Sequence, residues 1–327
     1  MTNSIPSASL SSARTRQRIE GLIQVARLYY LEGLSQEQVA RRVGFSRSTV
    51  SRMLSQARED GIVRISVGHP LQRLMTLEDE LRRKYSLSCV RVAQSYDDDI
   101  ASTLVPQAAA DLLVEHLRPD SLVVTSTGTP MVSTVRMVPI LDYPHAHVTQ
   151  MLGSMAPKSS LTDSPEICRM LAERLGCGYS LLPAPLVMDS SRTARALKED
   201  RLIAATLALG DRADIALVGV GAIRHGHSGR IFDRFEGPDM ARELEEKGVV
   251  GHICGHHIDA RGNHVHTSLC ERTISIDFDR FRRIPLVIGA VWEKWRAVAL
   301  HACLVGGLIT GLATNQGMAE LLLGMDA

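Results

Sequence analysis

The chain is poor in aromatic side chains: two tryptophans, five phenylalanines and six tyrosines make up 4% of its 327 residues. Its core must therefore be built from Leu, Val, Ile and Ala. No apolar run approaches the roughly 18 residues that a membrane span requires. The opening MTNSIPSASLSSARTRQR lacks the apolar centre of a signal peptide, and residues 1–15 are expected to be a flexible polar tail. The six cysteines (Cys89, Cys168, Cys177, Cys254, Cys270, Cys303) include no CxxC pair. That pattern suits reduced, buried thiols and a cytoplasmic location rather than a disulfide framework. A complete GxGxxG is also missing, so no dinucleotide cofactor is expected.

Lysine is absent from residues 1–70, yet ten arginines occur there against five acids. This excess of +5 is hidden in a whole-chain net charge of +1, which leaves the remainder at −4. A small basic head on a mildly acidic body suits a head that meets a polyanion.

The head contains LYYLEGLSQEQVARRVGFSRSTVSRMLSQAREDGIVRI, residues 28–65. Ser35 and Gln38 have capping-box spacing and open a helix through about Arg42. Ser46 caps a second helix from about Arg47 to Asp60, stopped by Gly61. Val39, Val43 and Phe45 supply apolar contacts from the first helix and the turn. Val50, Met53, Leu54 and Ala57 form a stripe on the second helix. Ala40 is small where crossing helices approach, Gly44 suits a positive φ in the turn, and Val50 packs beneath. That spacing is the helix-turn-helix signature. Arg47, Ser48, Thr49, Ser51 and Arg52 fall on the outer face of the second helix, suited to phosphates and base edges. Gln36, Arg41, Arg42, Arg58 and Arg64 flank them. IVRISV after Gly61 reads as the strand of a wing. The expected partner is double-stranded operator DNA.

The tyrosine pair Tyr29-Tyr30, SRSTVSR from Ser46 to Arg52, and AREDGIV from Ala57 to Val63 closely resemble the N-terminal region of the SorC-type, sugar-binding bacterial transcriptional regulators, a group allied to some DeoR-named repressors. Residues 16–67 are thus expected to be the DNA-binding domain. A connecting helix at 68–88 carries Leu71, Leu74, Leu77, Leu81 and Tyr85 at helical spacing, for packing on its own domain or against a second subunit.

From residue 90 onward, short β-branched runs alternate with helical stretches. CVRVAQ, SLVVTS, HVTQMLG, ADIALVGVG and PLVIGAV read as buried strands. Helices are expected near 99–116, 128–138, 163–175, 194–209, 238–247, 295–304 and 315–324. This alternation predicts an α/β fold with a largely parallel, Rossmann-like sheet over 89–327. In such folds ligands sit beyond the carboxyl ends of strands. Ser126, Thr127, Gly128 and Thr129 follow one strand as a hydroxyl-rich turn into a helix, a cradle suited to an anion. Gly153 ends another strand, and Gly219 and Gly221 let a ligand approach the backbone.

The resemblance extends over nearly the whole chain, through ICRMLAERLGCGYSLLPAPLV, ADIALVGVGAI, GVVGHICGHHIDARGN and GGLITGLATNQGMAELLL. It implies an effector domain similar to phosphosugar isomerases, deaminases and CoA-transferase-like folds, used to sense a sugar, polyol or sugar phosphate in a dimer or tetramer. The chain departs from the family at several positions. Thr127 and Pro130 replace the tryptophan and second threonine of a serine–tryptophan–glycine–threonine–threonine turn. Trp292, Glu293 and Arg296 stand where a glycine pair and a lysine are usual, and Asn315 replaces an aspartate. Arg296 keeps a positive charge, so a phosphate and an uncharged polyol are both open. An enzyme is the alternative: Asp259, Glu271 and Asp277 are available as bases, and Lys158 as a Schiff-base amine, but no base–partner pairing is readable. A regulator without catalytic residues is expected.

GHICGHHIDARGNHVH, residues 251–266, holds five of the twelve histidines. His252, Cys254, His256, His257 and Asp259 are legitimate metal ligands, yet their spacing matches no closed zinc pattern and no HExxH helix. No metal is expected. The glycines predict short strands and turns. By the resemblance, Asp259 lies at the edge of the effector pocket and His252 takes a position where relatives carry an acid. His256 and His257 are expected near the pocket, and His264 and His266 on a more exposed edge.

Overall fold

The computed structural model describes residues 7–63, 70–155, 162–223, 232, 235 and 237–326. The chain divides into two units, Met1–Gly68 and His69–Ala327.

The first unit contains α1 (Ser7–Tyr30), α2 (Gln36–Val43) and α3 (Arg47–Glu59). The capping box closes as its spacing predicts. Ser35 Oγ accepts from the Gln38 amide at 3.3 Å, and Gln38 Oε1 accepts from the Ser35 amide at 2.8 Å. Gly44 ends α2 at φ 75°, the left-handed conformation that a side chain resists. Ser46 then caps α3 by accepting from Thr49 N at 3.1 Å. Val39 and Val50 are wholly buried, packed with Ala40 and Leu54.

Two features differ from expectation. Helix α1 starts at Ser7, inside the stretch read as a flexible tail. After Pro6, its Ser, Ala, Leu, Arg and Gln residues include no helix breaker before Gly21. Its Val25 and Leu28 close the core over Val39, Ala40 and Val50, while Leu22 and Ala26 pack on Ala57. Because α1 fills this space, Phe45 is not needed in the core and stands 48% exposed at the turn. Ile62 and Val63 fold back beside Leu22 and Ala57. The rest of the expected wing strand, with Arg64, lies outside the described residues.

The second unit opens with α4 (Pro70–Tyr85). Leu74, Leu77, Leu81 and Tyr85 form its buried stripe, packed into the core of this unit. Leu71 and Met75 point outward. The Tyr85 hydroxyl donates to the Leu322 carbonyl at 2.8 Å, and burial pushes its pKa up to about 12.

The chain continues as β1 (Cys89–Ala93), α5 (Asp98–His116), β2 (Leu122–Thr125), α6 (Thr129–Met137), β3 (His147–Gln150), α7 (Ser164–Leu175) and β4 (Gly178–Ser180). Then come α8 (Ser191–Glu199), α9 (Arg201–Gly210), β5 (Ile215–Val218), β6 (Val220–Ala222), α10 (Pro238–Glu246), β7 (Gly251–Ile253) and β8 (His256–Ile258). The unit ends with α11 (Phe278–Phe281), β9 (Leu286–Ala290), α12 (Ala297–Val305), β10 (Gly311–Asn315) and α13 (Gln316–Leu323).

Seven strands form one sheet in the order β1-β10-β9-β5-β2-β3-β4, with every pairing parallel. This is the α/β architecture that the strand–helix alternation predicts. Successive strand residues face opposite layers. Val123, Ile215, Leu217 and Ile288 pack under α5, α6 and α7, whereas Val124, Ala216, Val218 and Val287 pack with α4, α12 and α13. Burial on both faces explains why these strands read as continuous apolar runs. A small antiparallel sheet, β6-β7-β8, follows from the chain leaving β5.

The helix expected at 194–209 is two helices. Asp200 ends α8, and its carboxylate caps α9 by accepting from Leu202 N at 2.9 Å. Strand β10 was not read from the sequence because GLATN is half polar. Its Thr314 is nonetheless wholly buried and donates to the Val291 carbonyl at 2.7 Å. Asn315, in the place of the family's aspartate, caps α13 by accepting from Met318 N at 2.9 Å.

Candidate functional site

The arginine-rich face of the first unit is built on α3. With Val50, Leu54 and Ala57 directed into the core, Arg47, Ser48, Ser51 and Arg52 fall on the exposed side. Arg47 and Arg52 make no ion pair among the described residues. Thr49 is half-buried, and its hydroxyl is hydrogen-bonded to Ser46 Oγ at 2.8 Å, so it orders the helix entrance. Ser48 Oγ also lies 2.9 Å from Ser46 Oγ. Flanking α3, exposed Arg41 lies 3.7 Å from Glu37, exposed Arg42 lies 3.6 Å from Glu32, and exposed Arg58 reaches Ser55. Such exposed pairs are weak and exchange readily for phosphate oxygens. Gln36 is half-buried at the first turn of α2. The face therefore presents mobile positive charge around a capped helix, the arrangement needed to follow a phosphate backbone and reach base edges.

In the second unit, β2 and β5 are neighbours, but the chain leaves them in opposite directions across the sheet. This is a topological switch point, where α/β sheets open a crevice beyond the strand ends. A cavity of about 500 Å³ lies there. Ser126, Thr127, Gly128 and Thr129 border it from the β2 end, Gly219 and Gly221 from the β5 end, and His252 and Arg296 complete the expected lining. A side chain at Gly219 would meet no atom within 4 Å and would occupy open space. Gly221 pairs with His252 across β6 and β7, and a Cβ there would sit 1.8 Å from His252 Nε2. The imidazole therefore lies over bare backbone, held edge-on to Phe232 at 5.1 Å.

The turn after β2 spends much of its polarity internally. The Gly128 amide and the Thr127 hydroxyl both donate to the Thr162 carbonyl, at 3.0 and 2.7 Å. Pro130 has no N–H, and the amides of Met131 and Val132 donate to Gly128 O. Opposite, Arg296 donates to the Glu293 carboxylate and the Val220 carbonyl, and its guanidinium lies 4.3 Å from the centre of the Trp295 ring.

Gly153 and Asp259, both expected at the effector site, do not line this cavity. Gly153 is a packing glycine: a Cβ would stand 2.4 Å from the Pro185 carbonyl oxygen. Asp259 closes its own loop, accepting from Arg261 N, Asn263 N and Asn263 Nδ2. Burial works to raise this carboxyl, and the bonds from Asn263 and Arg261 outweigh it and hold the carboxyl below its ordinary range. Gly262 lies where a Cβ would meet the Ala302 carbonyl oxygen at 2.4 Å.

Sequence reasoning did not include Trp292, Glu293, Trp295 and Cys254 among the site residues, although all four line the cavity. A signal for two of them was present: the only tryptophans of an aromatic-poor chain stand three residues apart, at 292 and 295. Cys254, with φ 50°, and Gly255, with φ 83°, form the two-residue hairpin turn between β7 and β8, which needs positive φ at both positions.

The histidine run is dispersed. Only His252 lines the strand-end cavity. His257 is wholly buried, with Nδ1 2.9 Å from Thr267 Oγ1. His256, His264 and His266 line a separate cavity of about 770 Å³, with Lys198, Asp277 and Phe278. Burial pushes the His256 and His257 pKa values down to about 3, reinforced by neighbouring imidazoles, so both are neutral at pH 7. Burial beside His266 takes His264 down to about 4. Of the two histidines expected near the effector pocket, His256 lies instead at the separate cavity, whereas His257 stands behind the strand-end cavity wall, 5.2 Å from Phe232 and 6.4 Å from the His252 ring. Alternation along β8 sends them to opposite faces of a strand that turns away from the main sheet. Among the described residues, no three His, Cys, Asp or Glu gather as a metal site. The candidate bases Glu271 and Asp277 line the 770 Å³ cavity, and Lys158 lies outside the described residues.

Comparison with known proteins follows the same division. Residues 69–324 match the family described as "Putative sugar-binding domain", and residues 12–64 match a homeodomain-like domain. The deoxyribonucleoside regulator of Bacillus subtilis (strain 168) is 29% identical over 309 residues, 94% of this chain and 98% of its own. Transcriptional regulator LsrR of Escherichia coli (strain K12) is 27% identical over 307 residues, covering 93% and 94%. The crystal structure of the full-length sorbitol operon regulator SorC from Klebsiella pneumoniae superposes with a TM-score of 0.73 at 27% identity, over 94% of this chain and 99% of that one. Among the described residues no helix is long and apolar enough to cross a membrane.

Proposed function

This chain belongs to the SorC-type family of sugar-binding transcriptional regulators, and from that premise we propose that it controls a carbohydrate or polyol catabolic operon in the cytoplasm. Residues 16–67 bind operator DNA, 68–88 connect, and 89–327 bind the effector and self-associate. Arg47, Ser51 and Arg52 reach base edges and adjacent phosphates, while Arg41, Arg42 and Arg58 track the backbone. The effector is a small polyhydroxy compound, a sugar, polyol or sugar phosphate, held at the ends of β2 and β5. A dimer or tetramer suits paired half-sites, and the apolar Leu71 and Met75 on the outer face of α4 offer one contact. Binding of the effector need only favour one of two assembly states to change operator affinity.

The observation that carries this reading is the gathering of eight expected effector residues around one crevice at the switch point, in a chain that also carries a capped, arginine-faced helix-turn-helix. Of the three candidate bases for an isomerase or deaminase, Asp259 is bound up in its own loop, and Glu271 and Asp277 line the other cavity, away from the strand-end crevice. The test selects a preferred duplex from a randomised pool with the full-length protein, then titrates sugars, polyols and their phosphates into the complex. A change in DNA affinity without consumption of the added compound is expected. Sustained product formation, or the absence of any preferred duplex, would refute the proposal.

A further inference from the structure

The strand-end cavity carries information about which class of polyhydroxy compound it accepts, an inference that rests on the sugar-responsive reading above. Among its described lining residues the only carboxylate is Glu293 and the only guanidinium is Arg296, and the two are joined as an ion pair. The Arg296 guanidinium is committed further, to the Val220 carbonyl and the face of Trp295. It is a pinned, neutralised cation. A phosphate ester needs more than this. Dianion sites combine uncompensated positive charge with several converging N–H donors. Here the Gly128 amide, the first that a cradle would use, is turned to Thr162, and Pro130 supplies no donor. A phosphate brought alongside would be desolvated, with the Glu293 carboxylate as a neighbour and no net charge among the described lining residues to compensate it.

The same features suit neutral hydroxyls. A carboxylate accepts two O–H bonds while a guanidinium donates from its remaining N–H groups, so a pinned pair presents acceptor and donor side by side for vicinal hydroxyls. Trp292 and Trp295 add apolar surface to the lining, suited to the C–H side of a sugar.

We infer that this cavity selects an unphosphorylated sugar or polyol over its phosphate ester, and that Glu293, by neutralising Arg296 and accepting from ligand hydroxyls, is the residue that sets this selectivity.

The experiment is isothermal titration of the full-length protein with matched pairs: a hexitol, a pentitol, a ketohexose and an aldopentose, each beside its terminal phosphate ester. One of the parent compounds is expected to bind, with its ester weaker by at least about tenfold, the loss of a single charge-assisted contact. In Glu293→Gln, which keeps the side chain's size and releases Arg296, the gap between that parent and its ester should narrow by about the same factor. A phosphate ester binding wild-type protein more tightly than its parent would overturn the inference while leaving the sugar-responsive reading intact. That comparison needs no variant, so it decides even if Glu293→Gln folds poorly. Parent selectivity that persists undiminished in a folded Glu293→Gln would remove Glu293 from the explanation. If no parent and no ester binds or alters DNA affinity, both the inference and the reading beneath it fall.

Discussion

Replacing Gly221 with alanine is a small change with a calculable consequence. The residue pairs with His252 across two antiparallel strands, and its φ lies outside the left-handed range, so the backbone accepts alanine without strain. The difficulty is space. The added methyl would stand 1.8 Å from His252 Nε2, 2.3 Å from Cε1 and 2.5 Å from Cδ2. All three lie far inside contact distance, so the ring must swing away, losing its 5.1 Å packing on Phe232. Overpacking of this kind costs about 1–3 kcal/mol. For a unit of this size, each kcal/mol lowers the melting temperature by about 2–4 °C. The expected drop is therefore about 2–12 °C by calorimetry, together with weaker effector binding because His252 forms one wall of the cavity. A double-mutant cycle isolates the cause. With His252→Ala already present, Gly221→Ala should be neutral, or stabilising by a few tenths of a kcal/mol through reduced unfolded-chain entropy. An unchanged melting temperature in the single variant, or the same loss in both backgrounds, would refute the assigned contact.

Arg47→Ala and Arg52→Ala should each abolish preferred-duplex binding and lower the salt dependence of residual DNA binding by about one counterion, with effector-induced thermal shifts unchanged. Fluorescence anisotropy across a salt series checks this, and retained affinity in both would remove α3 as the reading helix. Ser46→Ala removes the cap of α3 and should cost about 1 kcal/mol, with faster amide exchange at Thr49. Unaltered exchange there would contradict the cap's role. Folded His256 and His257 titrate near 3, below their unfolded value of about 6.5, so the unfolded chain binds more protons between those limits. Their stabilising contribution is complete above pH 6.5 and lost as pH falls, at up to about 1.4 kcal/mol per pH unit for each ring. Denaturant unfolding at pH 7, 6 and 5 reads this; constant stability over that interval would show that these rings titrate normally in the folded protein.

Much of the first unit was legible because its information is local. A capping box, a turn glycine and the N-cap Ser46 each act over three or four residues, and the arginine surplus is a count. What the local code missed was α1, whose buried residues matter only once α2 and α3 exist to receive them. Phe45 makes the same point in reverse: an apolar residue in the right place stayed outside because Val25 and Leu28 had filled the core.

In the second unit, the strand–helix alternation and the turns after β2 and β5 were readable because fully buried parallel strands have a distinct composition. Strand order was not, and the switch point exists only through that order. The histidine run shows the limit most directly. Five imidazoles within sixteen residues resembled one centre, but the turn at Cys254-Gly255 and the twofold alternation along β8 distribute them over two cavities and an interior. Likewise, the sequence determined that Arg296 is a cation near the end of β9. Its partners Glu293 and Trp295 are local, three and one residues back. The Val220 carbonyl, 76 residues away, and the placing of the neutral pair against the strand-end cavity come from the tertiary fold. Composition and short-range spacing set what each segment can be. Which side chains share a cavity is set by contacts between residues far apart in the chain.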